Sequence, residues 1–124
     1  MSPSTRARKR ARIRRPDEFQ RCYREGKMHK NELAVIHVYR RGDDGEARVG
    51  FSVSRKLGGA VQRNKVKRWM RESVYPIQSL LPPGIDVVFS ARTVAREAGF
   101  KRLNEAIREL LFRSRLLSKE AEER

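Results

Sequence analysis

Three stretches of the sequence have the apolar pattern of β-strands. Residues 31–39 and 47–54 alternate apolar with polar positions, as strands do when one of their faces is buried. Residues 85–91 are apolar at almost every position, so we expect this strand to lie at the centre of its sheet. Residues 40–46 are rich in Gly and Asp and predict a turn that joins the first two strands as a hairpin.

Helical periodicity appears in three other stretches. A helix is predicted to begin at Pro16, where two acidic residues follow, and to end at Gly26. Residues 60–74 contain neither Gly nor Pro, which predicts a second helix that Pro76 stops. Residues 100–117 carry an apolar stripe at helical spacing and predict a third helix, to which we assign packing and no chemistry.

The order α-β-β-α-β-α predicts an α+β fold, a two-layer sandwich in which helices pack on a small mixed sheet of about four strands. A chain of 124 residues is long enough for one modest core, and we expect a single domain over residues 16–117. Residues 1–15 carry seven Lys or Arg and no acid, which predicts a flexible basic arm. Residues 118–124 are expected to form a frayed tail.

The charge balance predicts a polyanionic partner. Thirty Lys and Arg stand against fifteen Asp and Glu, for a formal net charge of +15. The sequence contains no apolar run of membrane-spanning length and no secretory signal pattern, so we expect a cytoplasmic protein with no membrane partner. Cys22 is the single cysteine, which excludes an internal disulfide and a cysteine-based zinc site.

The basic charge is most concentrated between Arg55 and Arg71, which hold seven Lys or Arg and no acid. At helical spacing, five polar residues of this stretch fall within about 140° of one another. They are Arg63, Asn64, Lys67, Arg68 and Arg71. The opposite side carries Val66, Trp69 and Met70, so one face of the helix is expected to pack and the other to be cationic. An Asn within a cluster of cations indicates recognition of a ligand as well as solubility.

Residues 51–72 resemble the signature of the bacterial ribonuclease P protein subunit. The core of that signature is Arg-Asn, two residues, Lys-Arg, two residues, Arg, and this sequence matches it from Arg63 to Arg71. The sequence departs from the family pattern at Gly58-Gly59, where the family usually has Gly-Asn. Residues 16–26 also resemble the first helix of the family in the spacing of their aromatic residues and glycine.

The resemblance implies a function and two binding sites. In this family an RNA subunit is the catalyst: it removes the 5′ leader of precursor tRNA with Mg²⁺ bound mainly by RNA, while the protein binds RNA and holds no cofactor of its own. The implied contacts with the RNA subunit are Arg55, Lys56, Arg63, Asn64, Lys67, Arg68 and Arg71. The implied cleft for the leader is formed by Phe19, Tyr23, Val35, His37 and Tyr39. The implied partners are the RNA subunit and precursor tRNA, without an obligatory protein partner. The family also has a left-handed β-α-β crossover.

A protein-borne active site is not expected. Asp43, Asp44 and Glu46 lie in the predicted turn beside two arginines, and Asp86 stands alone on its strand. Two other classes share some of these features. A small ribosomal or RNA-chaperone protein would have the charge and the fold without a leader cleft. A helix-turn-helix DNA-binding domain would need a helix just before residue 60, where the pattern predicts a strand.

Overall fold

A computed structural model describes residues 11–118, which form a four-stranded sheet covered by helices. This confirms the predicted α+β class. The helices are α1 (Pro16–Glu25), α2 (Ala60–Val74), α3 (Ala95–Ala98) and α4 (Phe100–Arg113). The strands are β1 (Lys27–Lys30), β2 (Ala34–Arg40), β3 (Arg48–Val53) and β4 (Ile85–Ala91). Short 3₁₀-helices span Arg55–Leu57 and Tyr75–Leu80.

The strands lie in the order β1-β2-β4-β3. Strand β4 is central, as its apolar pattern predicts: it pairs antiparallel with β2 and parallel with β3. The predicted hairpin of residues 31–39 with residues 47–54 is therefore wrong, because β4 lies between these strands. Alternation shows which face of a strand is buried, and it contains no information about which strand lies beside it. The unit β3-α2-β4 is a parallel β-α-β crossover, whose left hand stays a prediction.

Strand β1 and helix α3 are additions to the predicted order. Strand β1 has the sequence Lys-Met-His-Lys and forms an edge of the sheet by pairing antiparallel with β2. Its side chains show no apolar alternation, so the strand is defined by its backbone pairing alone. A short, Lys-rich edge strand is also a common protection against pairing with other chains.

The main core lies between the sheet and the helices α2 and α4. Strands β2 and β4 contribute Ile36 and Phe89, which face each other in the register and are almost fully buried. From α2, the predicted packing residues Val66 and Met70 are fully buried, whereas Trp69 is only partly buried against this core. The ammonium group of Lys65 lies 5.5 Å from the centroid of the Trp69 ring, which explains why that side chain remains near the surface.

Part of the predicted basic arm packs on the domain. Ile13 is buried, its N–H donates to the Val49 carbonyl at 2.9 Å, and the Val49 N–H donates to the Ala11 carbonyl at 3.3 Å. The Gln78 amide nitrogen also donates to the Ala11 carbonyl, at 2.8 Å. Residues 11–13 thus pack on the domain, although the predicted domain begins only at residue 16. The rest of the arm, residues 1–10, and the tail residues 119–124 lie outside the described part of the chain.

Candidate RNA-binding surfaces

The first surface is the cationic face of α2 together with the 3₁₀-helix that precedes it. Helix α2 begins after Gly59, and burial of Val66, Met70 and Val74 on one side directs the predicted basic face outward. All seven residues predicted to contact the RNA subunit lie on these two helices, and each is exposed or half-buried. They are Arg55, Lys56, Arg63, Asn64, Lys67, Arg68 and Arg71.

Among the described residues, the acids of the protein leave this surface almost unpaired. Arg68 makes a loose pair with Glu72, 3.9 Å apart and largely exposed, which contributes little to stability. Within residues 11–118, no carboxylate lies at ion-pair distance from the other five cations of the surface. The surface therefore has a large positive potential available for phosphate groups.

The space around Gly59 is large enough for the Asn side chain that the family usually has at this position. Gly59 is the N-cap residue of α2 and makes no side-chain cap. A Cβ built there would meet nothing within 4 Å, so the Asn that is usual in the family would fit without rearrangement. An Asn at this position would also accept a hydrogen bond from the first turn of the helix.

The second surface lies on the opposite face of the sheet, where α1 covers only one end. We call it the open strip, formed by Phe19, Tyr23, Val35, His37, Ser52 and Ser90. Tyr23 and His37 meet edge to face, with ring centroids 5.0 Å apart. Beyond them Val35, Ser90 and Ser52 lie side by side on β2, β4 and β3, and all three are half-buried. The strip thus offers aromatic and apolar surface to a ligand.

Tyr39 is the predicted cleft residue that the structure sets apart from this strip. It lies farther along β2, under α1, opposite Asp86 in the register. The guanidinium group of Arg21 sits 4.5 Å from the centroid of its ring. Because that cation occupies one ring face, Tyr39 is less available for stacking than Tyr23.

His37 is a neutral ring in this strip at neutral pH. Burial lowers its pKa below the usual value, because the charged form would lose hydration. A neutral imidazole can stack on a base through its π-face, but it has no charge with which to form an ion pair with phosphate. The environment therefore favours stacking.

Gly50 allows α1 to approach the sheet. A Cβ at this position would lie 2.7 Å from Cζ of Phe19, closer than side chains pack. We expect Gly50→Ala to push Phe19 away and to lower the free energy of unfolding by about 1–3 kcal/mol. Denaturant unfolding measures this, with Ser52→Ala on the same strand as the control. Equal stability of the two variants would show that α1 is not held as closely as the structure has it.

An arginine cluster around Asp86 holds the covered end of the sheet. Asp86 is fully buried. Its carboxylate accepts hydrogen bonds from Arg41 at 2.7 Å, from Arg48 at 2.8 Å by two nitrogens, and from Arg21 at 3.2 Å. The sequence showed that no other acid accompanies Asp86 on its strand, and it did not predict these arginine partners. The available signal was an acid within a strand predicted to be buried on both faces, since such an acid requires cationic partners.

The cluster extends to the start of α1. Arg48 also donates to Glu18 at 3.1 Å, and the other oxygen of Glu18 accepts the backbone N–H groups of Arg14 and Arg15. Burial alone would raise the pKa of Asp86, and the hydrogen bonds and charges of Arg48 and Arg41 outweigh it, so the pKa is lowered. The carboxylate is thus ionised and ties α1 to the sheet.

The acidic residues Asp43 and Asp86 are held by the protein's own arginines. Asp43 accepts two nitrogens of Arg41 and the N–H of Gly45, which confirms its role in the turn. Asp86 is fully engaged by arginines. Within residues 11–118, no group of three His, Cys, Asp or Glu side chains is arranged to hold a metal ion. Burial, followed by the charge of Asp86, raises the pKa of Cys22 to about 11, so this thiol is no nucleophile at neutral pH.

These features define a class: a small α+β protein with an exposed cationic face on one side of its sheet and a partly exposed aromatic strip on the other. None of the helices described between residues 11 and 118 has the length and apolarity needed to cross a bilayer.

Comparison with known proteins supplies the family. A family model described as Ribonuclease P matches residues 7–115. The ribonuclease P protein component of Clostridioides difficile is 35% identical over 103 residues, covering 82% of this chain and 90% of that protein. The ribonuclease P protein component of Clostridium novyi is 38% identical over 109 residues, covering 87% of this chain and 96% of that protein. The structure of the Staphylococcus aureus RNase P protein has a TM-score of 0.81 at 30% identity, covering 89% of this chain and all of that one. The structure of the Thermotoga maritima RNase P protein has a TM-score of 0.70 at 36% identity, covering 86% of this chain and 97% of that one.

The chain therefore belongs to the family of bacterial ribonuclease P protein components. Membership makes it the protein component of an endoribonuclease, with roles in tRNA processing and RNA binding. It also implies a partnership with the ribonuclease P RNA.

Proposed function

We propose that this protein binds the catalytic RNA subunit through the cationic face of α2 and the 5′ leader of precursor tRNA through the open strip. Cleavage is then carried out in the cytoplasm by the RNA subunit with Mg²⁺ bound mainly by RNA, and no further protein is obligatory. One observation carries this proposal: an exposed cationic face, with a single loose ion pair among the described residues, and a half-buried aromatic strip lie on opposite sides of one sheet. Two RNAs can therefore be held at once.

The chemistry of the α2 face suits a folded RNA. Arginine and lysine side chains bind phosphates and release condensed counterions, which gives salt-dependent affinity without sequence preference. The basic charge also offsets repulsion between catalytic RNA and substrate. Asn64, exposed within the cations, adds a donor and an acceptor for a base edge or a ribose.

The open strip suits a single strand of variable sequence. Aromatic stacking tolerates any base because every base has a π-face. Tyr23 and the neutral His37 supply such surfaces, and Val35 supplies apolar contact. A binding site of this kind accepts the different leaders of many precursors.

The protein's own groups give little support to catalysis by the protein. His29 pairs with Ile36 and His37 with Met28 in adjacent register positions, so the two histidines point to opposite faces of the sheet. They are not placed to act together as acid and base. The carboxylates discussed above are held by arginines, which favours RNA as the catalyst.

The test is cleavage of a precursor tRNA at low Mg²⁺, with and without a bacterial ribonuclease P RNA and with and without this protein. We expect cleavage at the 5′ end of the mature tRNA to require the RNA and to be strongly enhanced by the protein. Cleavage by the protein alone would overturn the assignment of catalysis to RNA. A lack of enhancement in every combination would favour a ribosomal or RNA-chaperone role instead.

Tyr23→Ala should weaken binding of leader-bearing precursor by about tenfold, since loss of one base–aromatic stack costs about 1–3 kcal/mol. Affinity for mature tRNA, which has no leader, should remain unchanged. Equilibrium binding to the reconstituted holoenzyme measures both. Tyr23→Phe keeps the ring and should retain affinity, and Phe100→Ala removes an exposed aromatic outside the strip. Equal losses on precursor and mature tRNA would reject the assignment of the strip to the leader.

A further inference from the structure

A basic groove lies beside edge strand β1, on the sheet face opposite the open strip. The groove has a volume of about 510 Å³ and runs between β1, the end of β2 and the turn that follows α4. Its cationic lining comes from all three of these elements and consists of Lys27, Arg40, Arg113 and Arg115, and His29 adds an imidazole ring. Glu25 is the one acid among the described residues that line it, and Val38, Tyr39, Ser114 and Leu116 complete that lining.

The described residues leave most of the positive charge of the groove unpaired. Arg113 donates to the Lys30 carbonyl at 2.9 Å and to Glu109 at 3.2 Å. In the part of the chain that the structure describes, no carboxylate lies at ion-pair distance from Lys27, Arg40 or Arg115. Two of these cations also lie close enough to His29 to change its pKa. The pKa of His29 is lowered, first by burial and then by repulsion from Lys27 and Arg113.

The turn after α4 holds Arg115 in an unusual conformation. Among the described residues other than glycine, Arg115 alone has a positive φ, of 65°. That left-handed conformation is common for Gly or Asn after a helix and costs about 1–2 kcal/mol for a residue with a Cβ. The following N–H groups of Leu116 and Leu117 both donate to the Leu111 carbonyl, which keeps the turn closed. The chain thus places a long cation at a position where a small residue would be less strained.

Strand β1 separates this groove from the open strip. Lys27 and His29 lie opposite Val38 and Ile36, so they point to the groove side of the sheet. Met28 and Lys30 alternate with them and point to the strip side, where both are exposed. A single strand of RNA that leaves the strip across this edge would pass from Lys30 and Met28 to Lys27.

We propose that this groove binds the phosphodiester backbone of single-stranded RNA and so extends the binding site of the open strip around β1. The proposal rests on the proposed function, because the strip must first hold an RNA strand. Because the strip is assigned to the leader, the strand in the groove is the part of the leader distal to the cleavage site; a single-stranded segment of the RNA subunit is the alternative that the test distinguishes.

The test variant is Lys27→Gln/Arg115→Asn, which removes two exposed charges. Asn is compatible with the left-handed conformation at residue 115. The matched control is Lys101→Gln/Arg102→Gln, which removes the same charge from exposed positions near the start of α4, roughly 18 Å along the helix from residue 113. Holoenzyme reconstituted with each variant is titrated with precursor tRNA carrying a leader of about 5 or about 15 nucleotides, at several salt concentrations. Affinity for the RNA subunit alone is measured in parallel.

We expect the groove variant to lose about tenfold in affinity for the long-leader precursor and to keep its affinity for the short one. The slope of log K against log salt should fall by about 1.4 for the long leader, since each phosphate contact on a single strand contributes about 0.7. A loss of affinity for the RNA subunit, equal for both leaders, would identify that subunit as the occupant of the groove and overturn its assignment to the leader. The proposal would be overturned if the groove variant and the control had equal affinities for the long-leader precursor, the short-leader precursor and the RNA subunit. Failure of the proposed function is distinguishable, because wild-type protein would then give no enhancement of cleavage.

Discussion

Replacing Asp86 by Ala should lower the free energy of unfolding by about 3–5 kcal/mol, because it removes the buried carboxylate that three partly buried arginines share. Asp86 is fully buried and accepts hydrogen bonds from Arg21, Arg41 and Arg48. The lost carboxylate also releases Arg48, which links the sheet to Glu18 at the start of α1. Denaturant unfolding monitored by circular dichroism measures the loss.

The matched control is Asp43→Ala, which removes an exposed carboxylate that shares Arg41 with Asp86. Its melting temperature should stay close to that of the wild type, since a surface pair is screened by solvent. If the two variants unfolded at the same temperature, burial of the Asp86 cluster would not be the source of its stabilising effect.

The same cluster predicts a pH dependence. The folded-state pKa of Asp86 is lowered, and so is that of Glu18. A carboxyl group with a lowered folded pKa stabilises the fold above its unfolded pKa of about 4 and loses that contribution as the pH falls through the folded value. Wild-type stability should therefore fall steeply below about pH 4. In Asp86→Asn the fall should be shallower, and an identical acid profile for the two proteins would contradict the ionised state of Asp86.

Neutralising two arginines of the α2 face, in Arg68→Gln/Arg71→Gln, should weaken binding to the RNA subunit by about 20-fold near 0.15 M salt. The estimate follows from two lost phosphate contacts, each of which contributes about 0.7–0.9 to the slope of log K against log salt. The slope itself should fall by about 1.4–1.8. Both side chains are exposed, so the melting temperature should not change. Filter binding or fluorescence anisotropy across a salt series measures the affinity.

The control for this experiment removes the same charge from a different helix, in Lys101→Gln/Arg102→Gln. If that control lost as much affinity as the α2 variant, the protein's net charge would account for binding, and the α2 face would have no special role. A large loss confined to the α2 variant would support the assignment of this face to the RNA subunit.

Some features of this structure follow from local sequence. Strand β4 was predicted at residues 85–91 and lies at Ile85–Ala91, and α2 was predicted and found at residues 60–74. The end of α1 at Gly26 is likewise confirmed by its N–H bond to the Cys22 carbonyl. Periodicity, caps and helix breakers act within a few residues, so a single sequence contains them. The cationic face of α2 belongs to the same category.

Other features arise from residues far apart in the chain. Strand β1 is stabilised by its pairing with β2, so its own side chains did not predict it. The predicted hairpin failed because β4, more than thirty residues later, inserts between β2 and β3. Tyr39 lies on the predicted row of β2, yet Arg21 from α1 covers its ring. The sequence of one strand or helix does not show which distant segment it will contact.

The sequence by itself determined the class of fold, the position of most elements, the basic face of α2 and the family to which the chain belongs. The tertiary structure alone decided the order of the strands, the arginine cluster on Asp86, the limits of the open strip and the groove beside β1. The physical reason is that local periodicity and charge depend on neighbouring residues. Strand pairing and ion-pair clusters depend instead on which distant segments the folded chain brings together.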